Sequence, residues 1–373
     1  MHIVIATGPI HAFPPPCAAG AQKVFLTLAR EFVKKGHRVT VFAREWPGQK
    51  TEEISEGMRI VRRGGYSQGT NIWADLLKDF AYAVRVRSRV PSGDVLITND
   101  FWLPAVLRRY RRNGSKLVVA AHRFPKHQYW LYRHADAFIA VSDSVASAIR
   151  EQQPSLAHKV CVINNPLDSS SLSPARRSGK SQTVIGSLGR IHPEKGVHLL
   201  VAAFRKLHEG GLPVQLRIAG PWEKADGGGG ESYWKKIRAM AEGLPAEVLG
   251  PLQNQAISGF YGSLDIYCLP SLADQGEAMP LAPLEAMACG VVPVVSDIAA
   301  FREYLEPGAN GVVFDHRSKH AVENLAAALK DLVLHAGKRA QLAAAAVETS
   351  GRFSTSAIAD KYLQLFEKVV SGM

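Results

Sequence analysis

Apolar runs of four to six residues alternate with amphipathic stretches along the chain, the pattern of βαβ units feeding a parallel sheet. In the first half this predicts strands at Ile3 to Ala6, Arg38 to Phe42, Val95 to Thr98, Leu117 to Ala121, Ala137 to Val141 and Val160 to Ile163. Helical periodicity fills the gaps, as in Val24, Leu28, Phe32 and Val33. The polar, breaker-rich stretch from Asn165 to Pro174, continuing through Arg176 to Gln182, predicts a linker. A second series follows, with strands at Thr183 to Leu188, Gln215 to Ala219, Ile266 to Leu269 and Val291 to Ser296. Its helices are expected at Val197 to Leu207, Leu281 to Ala288 and His320 to Leu334. The 373 residues exceed what one core fills, so two doubly wound α/β domains are expected, 1–173 and 174–353. Such sheets bind ligands at the carboxyl ends of their strands, and a cleft lined by loops of both halves is the expected site.

A hydrophobic content of 46% with 21% charged residues excludes disordered and fibrous classes. No apolar run reaches the roughly 18 residues of a spanning helix, and Met1 to Ala6 reads as a first strand rather than a signal peptide, so a cytoplasmic protein is expected. Cys17, Cys161, Cys268 and Cys289 form neither a CxxC pair nor a metal spacing and read as ordinary thiols. The formal charge of +12 is uneven. Residues 1–173 carry 24 Lys/Arg against 13 Asp/Glu, leaving 21 against 20 for the rest. A basic first half favours an anionic partner: nucleic acid, an acidic membrane leaflet or a phosphorylated substrate.

The signatures of dinucleotide folds, P-loops, serine hydrolases and zincins are all missing, and there is no Asp-x-Asp pair to hold a metal-bound diphosphate. The run Gly227 to Gly230 lacks a following Lys-Ser/Thr and is expected to be a flexible loop. In the segment Ser187 to Gly196, Arg190 and Lys195 fall in a turn between a strand and a helix. Two cations with free helix-terminal amides can bind a diphosphate without metal. Further on, Glu277 and Glu285 stand eight apart, one before a helix and one inside it, about two turns along the axis, so they should meet different parts of a ligand.

These features together resemble glycosyltransferase family 4, retaining enzymes of GT-B fold. The resemblance rests on the Glu277 to Gly290 segment with its Glu-x7-Glu spacing, the Gly189-Arg190 to Lys195-Gly196 turn, and Pro166-Leu167-Asp168. It extends to Pro16 to Lys23, to Leu28 through Val41, and to Phe353-Ser354, which opens a helix over 354–373 that in this family crosses back to the first domain. The resemblance implies two Rossmann-like domains facing a cleft, an acceptor-side first domain and a second domain that binds a nucleotide-diphosphate sugar, with no cofactor or metal. It implies that Arg190 and Lys195 stabilise the departing diphosphate, Glu277 contacts the transferred sugar and Glu285 the ribose. Gly20 would admit the phosphates, Met279 and Leu281 would line the donor site, and His122 would face the reacting sugar. The chain departs from the family pattern at Ala19 and Pro280, and Pro280 removes a backbone donor. The acceptor implied is a saccharide or lipid-linked saccharide of envelope biosynthesis; a non-catalytic nucleotide-sugar binder of the same fold is the alternative.

Trp73, Leu76, Leu77, Phe80, Val84 and Val86 lie at helical spacing and end in Arg85, Arg87 and Arg89, while Arg108, Arg109, Arg111 and Arg112 close another predicted helix. The pattern fits either a face resting on anionic lipid or core-facing residues flanked by solvated arginines. No aromatic platform or reader motif accompanies the charge, so nucleic acid is not the expected partner.

Overall fold

The chain divides into two units, Met1–Pro166 with Thr355–Met373, and Leu167–Ser354, in a computed structural model. The structure describes all residues except 16–19, 68, 70, 108–113, 171, 175–181 and 373. The four arginines near 110, Cys17 and Ala19 lie outside the described residues.

The first unit is a sheet of eight described strands: β1 (His2–Ala6), β2 (Arg38–Ala43), β3 (Glu52–Ser55), β4 (Met58–Arg62), β5 (Val95–Thr98), β6 (Lys116–Ala121), β7 (Ala137–Ala140) and β8 (Val160–Val162). Their order is β3-β4-β2-β1-β5-β6-β7-β8, parallel except for the antiparallel β3-β4 pair. Ile3 pairs with Val39 on one edge and Val95 on the other, so β1 is central, and Ile3 to Ala6 are all fully buried: both faces are covered, which explains why β1 reads as an unbroken apolar run. The covering helices are α1 (Gly20–Lys34), α2 (Ile72–Val86), α3 (Leu103–Val106) and α4 (Asp143–Gln152). Val24, Leu28 and Phe32 bury one stripe of α1, each contributing about 1.5–3 kcal/mol of transfer energy. Asn71 caps α2 by accepting from the Trp73 and Ala74 amides, and Ser142 caps α4 through the Val145 amide.

The hairpin of β3 and β4 is not among the predicted strands. Its short pieces are rich in Glu and Arg, and its inward anchor is a charged residue. Arg62 is 1% exposed and donates to the Phe13 and Lys50 carbonyls and to Glu53.

The second unit has six described strands: β9 (Thr183–Leu188), β10 (Val214–Ala219), β11 (Ala246–Val248), β12 (Ile266–Leu269), β13 (Val292–Ser296) and β14 (Val312–Phe314). All pairings are parallel, in the order β11-β10-β9-β12-β13-β14. Helices α5 (Val197–Glu209), α6 (Glu231–Ala241), α7 (Asn254–Ser263), α8 (Leu281–Ala288), α9 (Ala321–Leu334) and α10 (Ala336–Gly351) accompany them. The apolar stripe of α5 packs with Ile185, Leu216, Ile218 and Leu329 in one core. The final helix, α11 (Thr355–Ser371), belongs to the first unit, where Tyr362 and Phe366 pack on Phe32 and Asp360 pairs with Lys35 at 2.8 Å.

The division falls at 166/167 and 354/355, not at 173/174 and 353/354. The reason is local: the Leu167 amide donates to the Phe353 carbonyl at 2.7 Å and Leu167 bridges Ser354, which ties the start of the expected linker into the second unit.

Candidate active site

The order of the second sheet reverses between β9 and β12, the place where open α/β sheets bind ligands. β9 runs into Gly189 to Gly196, and β12 runs into the loop that carries Glu277. Backbone stitches these loops together. The Leu272 amide and the Ser271 hydroxyl both donate to the Glu194 carbonyl, at 2.7 and 3.2 Å. Gly196 sits at φ +65°, and a Cβ there would stand 1.8 Å from the Pro270 carbonyl oxygen, so only glycine allows this approach. The result places Lys195 Nζ 2.5 Å from Glu277 Oε1, with side chains 14% and 4% exposed. The structure thus brings together two predicted residues that are 82 positions apart.

Arg190 donates from Nη1 to the Gly227 carbonyl at 2.7 Å and from Nη2 to the Glu194 carboxylate. Glu194 is held below the usual carboxylate range by Arg190, His192 and Lys195, against the opposing effect of its partial burial, which is the largest single influence. The Gly227 to Gly230 run is therefore a packed turn and not the flexible loop expected. Gly227 and Gly230 adopt positive φ, a Cβ on Gly228 would strike the Trp222 backbone at 2.2 Å, and the Gly229 amide donates to Ile191.

The expected supply of free amides is smaller than the turn suggests. Pro193–Lys195 forms a short 3-10 turn before α5. The Glu194 amide meets His192 Nδ1, the Lys195 and Gly196 amides bond back to His192 and Pro193, and the His198 amide meets the Tyr233 hydroxyl. Cationic side chains rather than amides dominate this turn.

Glu285 projects from α8, and its Oε2 accepts the Tyr261 hydroxyl at 2.9 Å. Burial first, and Glu285 beside it, push the Tyr261 phenol far above its ordinary range, so it remains a donor. Glu277 and Glu285 therefore serve different neighbours. Tyr304 donates to the Pro280 carbonyl at 2.8 Å, fixing the start of α8; Met279 is buried and Leu281 half-buried there. Tyr267 donates to the Leu188 carbonyl at the end of β9. Sequence reading missed these tyrosines, Glu194 and the Gly227 contact. Their partners are distant in the chain, and nothing in their spacing announces them.

Gly20 and His122 belong to the first unit. Gly20 opens α1, and a Cβ there would meet no described protein atom within 4 Å. His122 follows β6; its ring packs edge-on against Phe25 at 5.3 Å, and Nε2 is buried with no hydrogen-bond partner among the described residues. Burial pushes its pKa down to about 4 against the opposing hydrogen bond with Asn165, so the imidazole is neutral at pH 7.

Two α/β units of this topology, with an Arg-Lys turn facing a Glu-bearing loop, define a GT-B glycosyltransferase scaffold. Residues 169–349 match the family described as Glycosyl transferases group 1, and residues 18–171 match Glycosyltransferase Family 4. Phosphatidyl-myo-inositol mannosyltransferase of Mycobacterium tuberculosis is 30% identical over 95% of this chain and 94% of its own length. The corresponding Mycobacterium leprae protein is also 30% identical, over 63% of this chain but less than two thirds of its own length, 59%. The lipopolysaccharide core mannosyltransferase LpsB of Rhizobium meliloti is 29% identical over 68% of this chain and 71% of its own. Among solved structures, sucrose-phosphate synthase from Thermosynechococcus elongatus superposes over the whole of both chains with TM-score 0.82 at 17% identity. Anabaena HepE in complex with UDP and glucose gives 0.75 at 19%, over 99% and 100%. The chain belongs to the family 4 glycosyltransferases of GT-B type.

Proposed function

We propose that this glycosyltransferase moves a hexose, with retention and without metal, from a nucleotide-diphosphate sugar to a saccharide or lipid-linked saccharide of the cell envelope. The observation that carries the proposal is the buried Lys195–Glu277 pair beside Arg190 at the switch point. As the nucleoside diphosphate departs, negative charge grows on its β-phosphate. Cations fixed there stabilise that charge more in the transition state than in the ground state. In this reading Lys195 and Arg190 face the diphosphate, Glu277 takes the hexose hydroxyls and Glu285 the ribose. Gly20 and Gly189, whose missing Cβ atoms leave open space, admit the phosphates. Neutral His122, Met279 and Leu281 complete the donor environment.

The envelope acceptor is supported by relatives named for phosphatidyl-myo-inositol, lipopolysaccharide core and colanic acid synthesis. Several are named mannosyltransferases, which makes mannose the first sugar to test. Transfer assays with GDP-, UDP-, ADP- and dTDP-sugars identify the donor. Activity is expected to persist in EDTA, and complete loss restored by magnesium or manganese would overturn metal independence.

A peripheral position at an anionic inner membrane face is part of the same proposal. No helix among the described residues is long and apolar enough to span a bilayer. Yet Trp73, Leu77 and Phe80 on one face of α2 are 75%, 71% and 43% exposed, with Arg85 and Arg89 exposed nearby. Amphipathic helices of this composition rest at charged interfaces. Wild type is expected to sediment with phosphatidylglycerol vesicles in a salt-sensitive manner, and Arg85, Arg87 and Arg89 changed together to Ser should weaken that. Equal binding by both proteins would remove the membrane from the proposal.

A further inference from the structure

The loop from Pro270 to Pro280 crosses from the end of β12 toward the end of β14, past the intervening strand β13, and the contact at its far end is not explained by donor binding. There, Asp274 pairs with Arg317, and its Oδ1 lies 3.5 Å from Nε2 of His316. His316 and Arg317 follow β14 directly. The His316 side chain is 3% exposed, and neither ring nitrogen has a hydrogen-bond partner among the described residues. A buried polar ring left unpartnered calls for a reason, because native interiors pair nearly all such groups. Among the described residues, the one anionic group that comes within salt-bridge reach of it is the Asp274 carboxylate.

We infer that Asp274, held by Arg317 and standing beside the buried His316 ring, is a positioning residue that latches the Glu277 loop to the far edge of the sheet. The inference rests on the reading of Glu277 as a donor-sugar contact. Its mechanics follow from the loop itself. The Gly276 and Glu277 amides both donate to the Ala273 carbonyl, at 2.9 and 3.2 Å, so the turn from Ala273 to Glu277 moves as one piece. At its near end, Leu272 is tied to the Glu194 carbonyl. Asp274 supplies the second fixed point, and a turn held at two points sets where the Glu277 carboxylate stands. The Arg317–Asp274 contact is half exposed, at 53% and 50%, and pairs of that kind add little to global stability. Their value here is geometric, since small misplacements of a reacting group cost far more in rate than in folding. Burial and Arg317 lower the pKa of His316, against Asp274, Asp315 and Asp297, so at neutral pH the ring is uncharged, and its Nε2, 3.5 Å from Oδ1, is a donor that the Asp274 carboxylate can take up on a small adjustment.

Two measurements on the full chain test the latch. In steady-state transfer with the donor varied, Asp274→Ala is expected to lower kcat about tenfold while donor KM and UDP or GDP binding change less than about twofold. In a Glu277→Gln background the same change should add nothing, because Asp274 acts through Glu277. His316→Ala should lose about threefold and His316→Gln, which keeps an N–H donor, should recover it. Independently of activity, amide exchange at Leu272, Gly276 and Glu277 should speed up in Asp274→Ala while the rest of the second unit stays protected. Unaltered exchange with full turnover overturns the latch, as does an equal fold loss in both backgrounds. If Glu277→Gln alone keeps full turnover, the reading of Glu277 fails instead, and the exchange measurement by itself decides the latch.

Discussion

Each sheet reverses its strand order once, and the two reversal points hold opposite electrostatics. In the second unit, between β9 and β12, lysine meets glutamate: Lys195 and Glu277 are buried as an oppositely charged pair. In the first unit, between β1 and β5, carboxyl meets carboxyl. Asp100 lies just past β5 and Asp79 comes in from α2; they are 6% and 7% exposed and close enough for the charge of Asp100 to act on Asp79. Burial raises both pKa values. For Asp79 the Asp100 charge adds to the rise, while for Asp100 the backbone amides of Leu103 and Trp102 oppose it. With both carboxyls raised by burial, the pair retains a proton, so this point resists further negative charge. Topology therefore offers a ligand position in both units, but among the described residues the fixed cations suited to a diphosphate, Arg190 and Lys195, stand at the second. The positive excess of the first half lies elsewhere, in exposed residues such as Arg85 and Arg89.

The comparison is broken most severely at Lys195. Lys195→Ala should cost about 2–4 kcal/mol in the transition state, read mainly as lost kcat in a transfer assay on protein whose melting curve remains cooperative. Unchanged turnover would remove Lys195 from the site. Next comes the backbone that brings the two loops together. Gly196→Ala introduces a Cβ into a space already filled by the Pro270 carbonyl and should destabilise the protein by about 3 kcal/mol, measured by denaturant unfolding. Gly20→Ala, which meets no described protein atom, is the contrasting case and should stay within about 0.5 kcal/mol of wild type.

An effect between these two in size is expected at the carboxyl pair, and it depends on pH. A carboxyl whose folded pKa is raised stabilises the fold most below its unfolded value of about 4, and that contribution is lost as pH rises through the raised pKa. Asp79→Asn cannot ionise. Relative to wild type it should therefore gain stability between about pH 5 and pH 8, on the order of 2 kcal/mol. Melting curves at both pH values check this; parallel curves would mean that the pair holds no proton.

Strands buried on both faces were legible because mostly apolar residues occupy them; β1, β5, β6, β9 and β12 fall where the runs predict them. The β3-β4 hairpin was not, since its anchor Arg62 is satisfied by carbonyls and Glu53, partners that only the fold assembles. Within the site, Arg190, Lys195, Glu277 and Glu285 could be found because they lie in two short segments of distinctive spacing. What holds them could not. Gly227 under Arg190, Tyr261 against Glu285, and Asp274 beside His316 are contacts between loops from different strands, and local sequence carries no record of such distances. Asp79 and Asp100 were likewise invisible, since a lone Asp in a helix or after a strand normally reads as solvated or capping.

The return of α11 to the first unit has a consequence for biosynthesis. The ribosome delivers β1 through β8 first, but Tyr362 and Phe366, which cover Phe32 on α1, are made only after the whole second unit. Domains generally fold as they emerge. The nascent first unit must therefore wait with Phe32 of α1 uncovered by its final partners, and the later-made unit is the earlier one to be completed.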